Sequence, residues 1–258
     1  AEAGVNHNGD IELARQLVRE GATAGVDAVK FQTFRPEKLV TQNAEKAAYQ
    51  KVTTGSQESQ LAMLQKLTLR DEDYVELEQL CRKCGVEFIS TPFDSDSLRF
   101  LTTELAMPFI KVPSGEITDA HFLWEIARTQ KPVVLSTGMA TLGEIENALA
   151  ILACGYLSSV FPTSFQEVRE VYVSAVGQKV LQDKVQLLHC TTQYPAPAQQ
   201  ANLLAIDTMK RAFGLPVGYS DHTEGITIPV AAVARGAQII EKHFTLDKNM
   251  PGPDHKAS

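Results

Sequence analysis

The most informative stretches of this chain are Val217-Gly218-Tyr219-Ser220-Asp221-His222-Thr223 and Ile239-Ile240-Glu241-Lys242-His243-Phe244-Thr245. Each is an apolar run that leads into a histidine with polar neighbours, which is typical of a buried strand with a functional carboxyl end. A helical pattern over 228–235 separates them. We therefore predict a strand–helix–strand unit with a histidine at each strand end.

The same alternation extends back to the amino terminus. We expect six earlier strands, at 1–7, 28–33, 86–93, 109–116, 132–138 and 185–191. Helical patterns fall between them, at 11–22, 68–84, about 95–105, about 120–128, from 141, and about 203–213. Eight strands alternating with helices in about 250 residues predict an α/β fold of the (β/α)8 TIM-barrel type. A doubly wound sheet is the alternative, but no dinucleotide-binding glycine fingerprint supports it.

Capping residues mark several of the predicted helix ends, whereas two segments lack such residues. Asp10 is predicted to cap the first helix and Gly25 to end it, while Thr141 and Glu144 form a capping box. The long polar segment 35–67, with some helical pieces, is expected to cover or shape a site. Segment 155–183 is irregular, with one extra helix expected near 166–182.

Composition excludes some classes of function. With 24 Lys and Arg against 31 Asp and Glu, the formal net charge is −7. Nonspecific nucleic-acid binding needs clustered basic residues, so this balance argues against it. An anionic small molecule remains compatible, because the local field of a pocket can oppose the net charge.

The four cysteines do not suggest a disulfide framework. Cys81 and Cys84 form a lone C-x-x-C on a helix face, and Cys154 and Cys190 stand apart from them. No apolar run approaches a membrane span and no signal peptide opens the chain, so we expect a cytoplasmic protein.

Two lysines lie inside apolar strands and each needs an anion, because an unpaired buried ammonium is costly. One interpretation is a salt bridge between Lys30 or Lys111 and a core carboxylate such as Glu2, Glu116 or Glu241. The other, which we favour, is a bound phosphate or carboxylate supported by strand-end hydroxyls. The hydroxyls are those of Thr91, Ser114, Ser136 and Ser220.

His222 and His243 end adjacent predicted strands, which favours a divalent metal over two separate core histidines. The carboxylates that would complete or orient such a site are Glu2, Glu241 and Asp254. His7 and His189 are weaker candidates. Cys190 is a buried strand residue with nothing beside it that suggests a nucleophile.

These motifs, in this order, resemble the N-acetylneuraminate (sialic acid) synthase family, including the legionaminic and pseudaminic acid synthases. The resemblance covers essentially the whole chain. It rests on the following segments: Glu2-x-Gly-x-Asn6-His7-Asn8-Gly9, Val29-Lys30-Phe31-Gln32-Thr33, Ser90-Thr91-Pro92-Phe93, Lys111-x-x-Ser114-Gly115-Glu116, Leu135-Ser136-Thr137-Gly138-Met139, His189-Cys190-Thr191 with Tyr194-Pro195, the two histidine-ended strands, and Gly252-Pro253-Asp254.

The resemblance implies a metal-dependent transferase that condenses phosphoenolpyruvate with an N-acetylated hexose. The hexose would be N-acetylmannosamine or 2,4-diacetamido-trideoxymannose, and the products a nine-carbon α-keto acid and phosphate. It also implies site roles. Mn²⁺, or else Mg²⁺ or Co²⁺, would bind His222 and His243, and Glu2 or Glu241 would handle protons. Phosphoenolpyruvate would contact Lys30, Thr91, Lys111, Ser114, Ser136 and Ser220. The sugar would contact Gln32, Glu116, Tyr194 and Asp254.

Three departures from the family pattern stand out. Thr192 replaces an asparagine found in some members, and the connection before the sixth strand is longer than usual. Family members also carry a C-terminal antifreeze-like domain, absent from residues 1–258, that completes the partner's sugar site in a homodimer. We thus expect residues 1–258 to form the barrel domain alone, with its first strand trimmed and its last helix missing. The alternatives are another phosphoenolpyruvate-condensing barrel aldolase, or a catalytically silent sugar-binding barrel.

Overall fold

A computed structural model describes residues 1–42, 44–47, 50–51, 58–105 and 107–258. The chain divides into two compact units, one formed by 1–107 with 242–258 and the other by 108–241. The units are described separately below.

Helices and strands alternate along the described chain. The strands are β1 (Glu2–Gly4), β2 (Ala28–Thr33), β3 (Glu87–Pro92), β4 (Ile110–Val112), β5 (Val133–Ser136), β6 (Val185–Cys190), β7 (Val217–Asp221) and β8 (Ile240–Lys242). The α-helices are α1 (Ile11–Thr23), α2 (Pro36–Leu39), α3 (Gln60–Lys66), α4 (Asp71–Cys84), α5 (Ser95–Thr103), α6 (Ala120–Arg128), α7 (Leu142–Leu157), α8 (Phe165–Val173), α9 (Ala175–Lys184), α10 (Leu204–Phe213) and α11 (Thr227–Ala234).

The first unit is built on a parallel sheet in the order β1-β2-β3. Its register places Lys30 opposite Glu2 on one side and Ile89 on the other, and Gln32 opposite Thr91. Because the strands are parallel, the polar residues at their carboxyl ends share one edge of this sheet.

The segment 35–67 also belongs to the first unit, and its described parts pack on a small core. Met63, Leu64 and Leu67 are buried against Val5 and Phe34. The expectation that this segment shapes a site falls partly on residues 43, 48–49 and 52–57, which lie outside the described residues.

The second unit contains the sheet order β4-β5-β6-β7-β8, with parallel pairing shown from β4 to β7. Helices α6 and α7 approach closely at Gly155. A Cβ there would lie 2.7 Å from Ala127 Cβ and 2.8 Å from the Trp124 carbonyl oxygen, so any larger residue would push the helices apart. The parallel sheets of the two units, with helices between their strands, confirm the predicted α/β class.

The predicted helix ends are largely confirmed. Asp10 accepts a hydrogen bond from the Glu12 amide, and Gly25 follows α1 with φ +77°. Thr141 and Glu144 form the reciprocal capping box at the start of α7. These caps satisfy backbone groups that a helix end leaves without partners.

Three strands stop three or four residues before their predicted carboxyl ends, whereas β3, β5, β6 and β7 stop one or two residues early. β1 ends at Gly4, and β4 ends at Val112, with residues 114–116 forming a 3-10 turn instead of strand. β8 ends at Lys242, so His243 follows the strand. Pro113 lacks an amide proton for a sheet hydrogen bond, which accounts for the end of β4.

The segment before β6 was wrongly predicted as a single helix near 166–182. It contains two helices, α8 and α9, which meet at Ser174. Ser174 has extended backbone angles (φ −70°, ψ 150°), and its hydroxyl caps α9 at the Gly177 amide. An interior serine that caps a new helix interrupts the old one.

Within the described ranges, no helix combines the length and apolar character needed to cross a membrane.

Candidate active site

Lys30 is held by an ion pair in the first unit. Its ammonium contacts the Glu2 carboxylate and lies 3.2 Å from Thr91 Oγ1. The two charged side chains are 11% and 1% exposed. Gln32 Nε2 donates to Glu2 Oε1 at 3.4 Å. The register of the sheet causes this grouping, since Lys30 lies opposite Glu2 and Gln32 lies opposite Thr91.

Lys111 has a matching environment in the second unit. Its Nζ lies 3.5 Å from Glu241 Oε1, and both side chains are largely buried. Ser220 Oγ donates to the same oxygen at 2.7 Å. The salt-bridge alternative for both lysines is thus confirmed, with Glu2 and Glu241 as partners. Binding of a phosphate or carboxylate remains a prediction, because an ion pair can also hold a lysine ready for a ligand.

Glu116, the third carboxylate proposed as a lysine partner, lies half-buried at the end of the 3-10 turn. Burial, followed by the charge of Asp119, raises its pKa. A raised pKa favours the protonated acid, which can donate a hydrogen bond to a ligand.

Ser114 and Ser136 lie at the carboxyl ends of neighbouring strands in the second unit. Ser136 is the last residue of β5 and is 3% exposed. Ser114 follows β4, and its Oγ accepts a hydrogen bond from the Gly138 amide at 2.8 Å. The same Oγ lies 3.3 Å from Cys190 Sγ. Sequence reasoning missed this Ser114–Cys190 contact, because residues 76 apart carry no local signal of their proximity.

His222 is fixed in one tautomer. Its Nδ1 lies 2.5 Å from the Thr191 carbonyl oxygen, which can only accept, so Nδ1 carries the proton. The lone pair of the neutral ring is then on Nε2, where a metal would bind. The ring of Tyr194 lies against His222, with 4.1 Å between centroids. The donor chemistry of His222 therefore fits a divalent cation.

His243 lies in the first unit directly after β8 and is 9% exposed. It forms a parallel bridge with Glu2, and the Phe244 amide donates to the Glu2 carbonyl at 3.0 Å. A Cβ on Gly4 would lie 3.6 Å from His243 Cε1. Among the described residues, no group of three or more His, Cys, Asp or Glu side chains is arranged to hold a metal ion.

The two weaker metal candidates have structural partners. His7 Nδ1 accepts from the Gly9 amide at 3.0 Å, and burial lowers the pKa of His7 to about 4. His189 Nε2 donates to the Ala201 carbonyl at 2.7 Å, and burial lowers its pKa as well. Both rings are therefore neutral and oriented by the backbone.

Asp254 is buried in the first unit, just before a short 3-10 turn. Loss of solvation, followed by the negative charge of Glu2, raises its pKa to about 7. A network that the sequence did not predict holds this region: Asn8 Nδ2 donates to Pro251 O at 2.8 Å, and His255 Nδ1 lies 2.6 Å from Thr245 Oγ1. Asp254 can therefore donate or accept a proton near neutral pH.

The sequence of this chain is similar to those of known proteins. The family model described as the NeuB family matches residues 17–258. The chain is 50% identical to the N,N'-diacetyllegionaminic acid synthase of Campylobacter jejuni over all 258 residues, which cover 70% of that protein. It is 45% identical to the synthase of the same name from Legionella pneumophila, again over its whole length, and covers 66% of it.

A solved structure shows the same relationship. The crystal structure of an N-acetylneuraminic acid (sialic acid) synthetase from Leptospira borgpetersenii matches with a TM-score of 0.78 and 32% identity. The match covers 100% of this chain and 76% of that one. With a family model over residues 17–258 and half of all residues shared with one relative, the chain belongs to the NeuB family.

Proposed function

We propose that this chain is the catalytic barrel of an N,N'-diacetyllegionaminic acid synthase. It would condense phosphoenolpyruvate with 2,4-diacetamido-trideoxymannose, giving a nine-carbon α-keto acid and phosphate. The observation that carries this proposal is the 50% and 45% identity to two synthases of that name, against 32% to a sialic acid synthetase. N-acetylmannosamine is the second candidate sugar.

We propose further that residues 1–258 form one (β/α)8 barrel domain. Eight strands alternate with helices along the described chain, and the pairs β1-β2, β2-β3, β4-β5, β5-β6 and β6-β7 are parallel. The bridge from His243, the residue after β8, to Glu2 in β1 supports closure, because a barrel joins its last strand to its first.

The proposed phosphoenolpyruvate ligands lie in both units. Lys30 and Thr91 would bind one anionic group, as they are already within 3.2 Å of each other. In the second unit the ligands would be Lys111 within β4, Ser114 just after it, Ser136 at the end of β5, and Ser220 near the end of β7. Charged and hydroxyl donors at fixed positions bind phosphate and carboxylate oxygens well.

The proposed sugar contacts are Gln32, Glu116, Tyr194 and Asp254. The raised pKa values of Glu116 and Asp254 suit them to donate hydrogen bonds to sugar hydroxyl or amide oxygens. Tyr194 packs on His222, which would place its ring beside the bound aldehyde.

His222 and His243 would hold a divalent metal, for which Mn²⁺ is the leading choice. When bound there, the ion would supply the Lewis acidity needed to polarise the aldehyde oxygen. The Thr191 carbonyl holds His222 in the tautomer that directs Nε2 to a cation.

The remaining chemistry falls to the carboxylates and lysines. C3 of the enol forms a bond to the aldehyde carbon, whose oxygen takes up a proton, and cationic character develops at C2. Water adds at C2, and Glu2 or Glu241 would accept the proton it loses. The C2–O bond to phosphate then breaks as the C2 hydroxyl becomes the carbonyl and gives its proton to the leaving phosphate, while Lys30 and Lys111 hold the anionic groups in place.

The test is phosphate release by the full-length protein with Mn²⁺ and phosphoenolpyruvate. We expect release with 2,4-diacetamido-trideoxymannose at a kcat/KM at least about tenfold above that with N-acetylmannosamine, a difference of about 1.4 kcal/mol. Lys111→Met, similar in length but uncharged, should lose most of the activity. Release only with a phosphorylated aldose would point to another aldolase, and no release with any sugar to a silent barrel. Either result refutes the proposal.

A further inference from the structure

The hydroxyl of Ser114 has two protein neighbours in the second unit. The Gly138 amide lies 2.8 Å from its Oγ and can only donate, so Ser114 accepts there. Cys190 Sγ lies 3.3 Å from the same oxygen, and either atom can be the donor. Cys190 is 7% exposed, so few solvent molecules compete for this contact.

The protons and lone pairs of Ser114 and Cys190 allow two hydrogen-bonding arrangements between them. A hydroxyl has one proton and two lone pairs, and Gly138 occupies one lone pair. If Ser114 donates to sulfur, its only proton is used within the protein. If the thiol donates to Ser114, both lone pairs are filled and the hydroxyl proton must point to a third group.

A bound anionic ligand would favour the second arrangement, in which the thiol donates to Ser114. A thiol sulfur is a weak acceptor, whereas a phosphate or carboxylate oxygen forms a charge-assisted hydrogen bond that is roughly twice as strong as a neutral one. With an anion beside Ser114, its proton goes to the anion and the thiol turns to donate to Oγ.

The packing around the contact limits other arrangements. A Cβ on Gly138 would lie 2.8 Å from Thr192 Cγ2, 2.9 Å from Ser114 Oγ and 3.0 Å from Cys190 Sγ. The three side chains therefore converge on one backbone position, and the hydrogen bond from the Gly138 amide holds the Ser114 hydroxyl beside the sulfur.

We propose that Cys190 is a positioning residue that orients the Ser114 hydroxyl toward the bound enol phosphate. This inference rests on the proposed function, which makes Ser114 a phosphoenolpyruvate ligand. The thiol acts through a hydrogen bond and takes no part in bond making, so it needs no reactive thiolate. It explains why a thiol stands at the end of β6, beside the anion-binding serine.

The experiment is a double-mutant cycle on phosphoenolpyruvate binding, measured by calorimetry on the full chain. We expect Cys190→Ala to weaken binding roughly three- to tenfold, the range of one hydrogen bond, with the melting temperature followed in parallel. Cys190→Ser, whose hydroxyl can donate in the same direction, should recover affinity to within about twofold of wild type. Cys154→Ala removes a buried thiol from α7 and should leave affinity unchanged.

The decisive comparison is made in the Ser114→Ala background. If Cys190 acts through Ser114, Cys190→Ala has no further effect there. An equal loss in both backgrounds would show a packing role and overturn the inference, as would unchanged affinity in Cys190→Ala. Absence of phosphoenolpyruvate binding by the wild type would instead overturn the proposed function, and the inference with it.

Discussion

Asp254 makes the stability of this protein depend on pH near neutrality. Its carboxyl is buried, and loss of solvation together with the charge of Glu2 raises its pKa from 3.8 to about 7. Between these values the folded protein keeps a proton that the unfolded chain releases. The free energy of unfolding therefore falls as pH rises, by about 1.4 kcal/mol per pH unit.

The size of the effect follows from the two pKa values. From pH 5 to pH 8 the free energy of unfolding falls by roughly 2.5 kcal/mol. The fall of about 1.4 kcal/mol per pH unit stops near pH 7, because Asp254 then ionises in the folded protein as well. For a chain of this size, that corresponds to a fall of about 5–10 °C in melting temperature. The contribution of Asp254 to stability is fully present below pH 3.8 and is lost as the pH rises to about 7.

The assay compares wild type with Asp254→Asn, which keeps the shape of the protonated acid and cannot ionise. Urea unfolding at pH 5 and pH 8 should show the variant gaining roughly 2.5 kcal/mol relative to wild type between these pH values. Asp27→Asn, at an exposed position, controls for the loss of an ordinary carboxylate. A wild-type–variant difference that is the same at both pH values would show that Asp254 does not titrate differently in the folded and unfolded protein.

Three further predictions concern the site. His222→Ala should abolish Mn²⁺ binding in calorimetry while the circular dichroism spectrum is kept, and unchanged affinity would contradict its assignment as a ligand. Glu2→Gln should lower the free energy of unfolding in urea by about 3–5 kcal/mol, because it leaves the Lys30 ammonium buried without its carboxylate; a loss below about 1 kcal/mol would show that the pair is dispensable. Gly138→Ala places a Cβ within 3.0 Å of three side-chain atoms and should weaken phosphoenolpyruvate binding at least about tenfold, whereas Gly143→Ala, with no neighbour nearer than 4.0 Å, should not. Equal effects of the two alanine variants would refute the steric argument.

Local signals predicted most of the secondary structure. The capping residues Asp10 and Thr141, and Gly25 after α1, act through hydrogen bonds or backbone angles within a few residues, so their sequence patterns are sufficient. The signals at the end of β4 and at the break at Ser174 are just as local, but they were missed. Pro113 and Ser174 each change a single hydrogen bond, which an apolar or helical periodicity over ten residues conceals.

The candidate site was only partly predictable, because its contacts join distant parts of the chain. Buried lysines could be recognised at Lys30 and Lys111, but an ammonium needs an anion whether a glutamate or a substrate supplies it. Nothing local identified Glu2 and Glu241 as the partners among several acids, since sheet register brings them together. The Ser114–Cys190 contact depends in the same way on the pairing of strands remote in sequence.

The ion pairs also bear on how these lysines could serve a ligand. A lysine whose charge is matched by a carboxylate does not attract an anion strongly, because the glutamate competes for the same ammonium. Each ion pair instead fixes the position of its ammonium. Glu2 and Thr91 hold the Lys30 ammonium. Glu241, which accepts a hydrogen bond from Ser220, lies beside the Lys111 ammonium. Groups held in place before the reaction need no reorganisation when charge develops, and this is the largest electrostatic advantage an active site can offer. A lysine that is ion-paired within the protein is therefore compatible with the catalytic role we propose, in which its buried carboxylate would act as a proton acceptor.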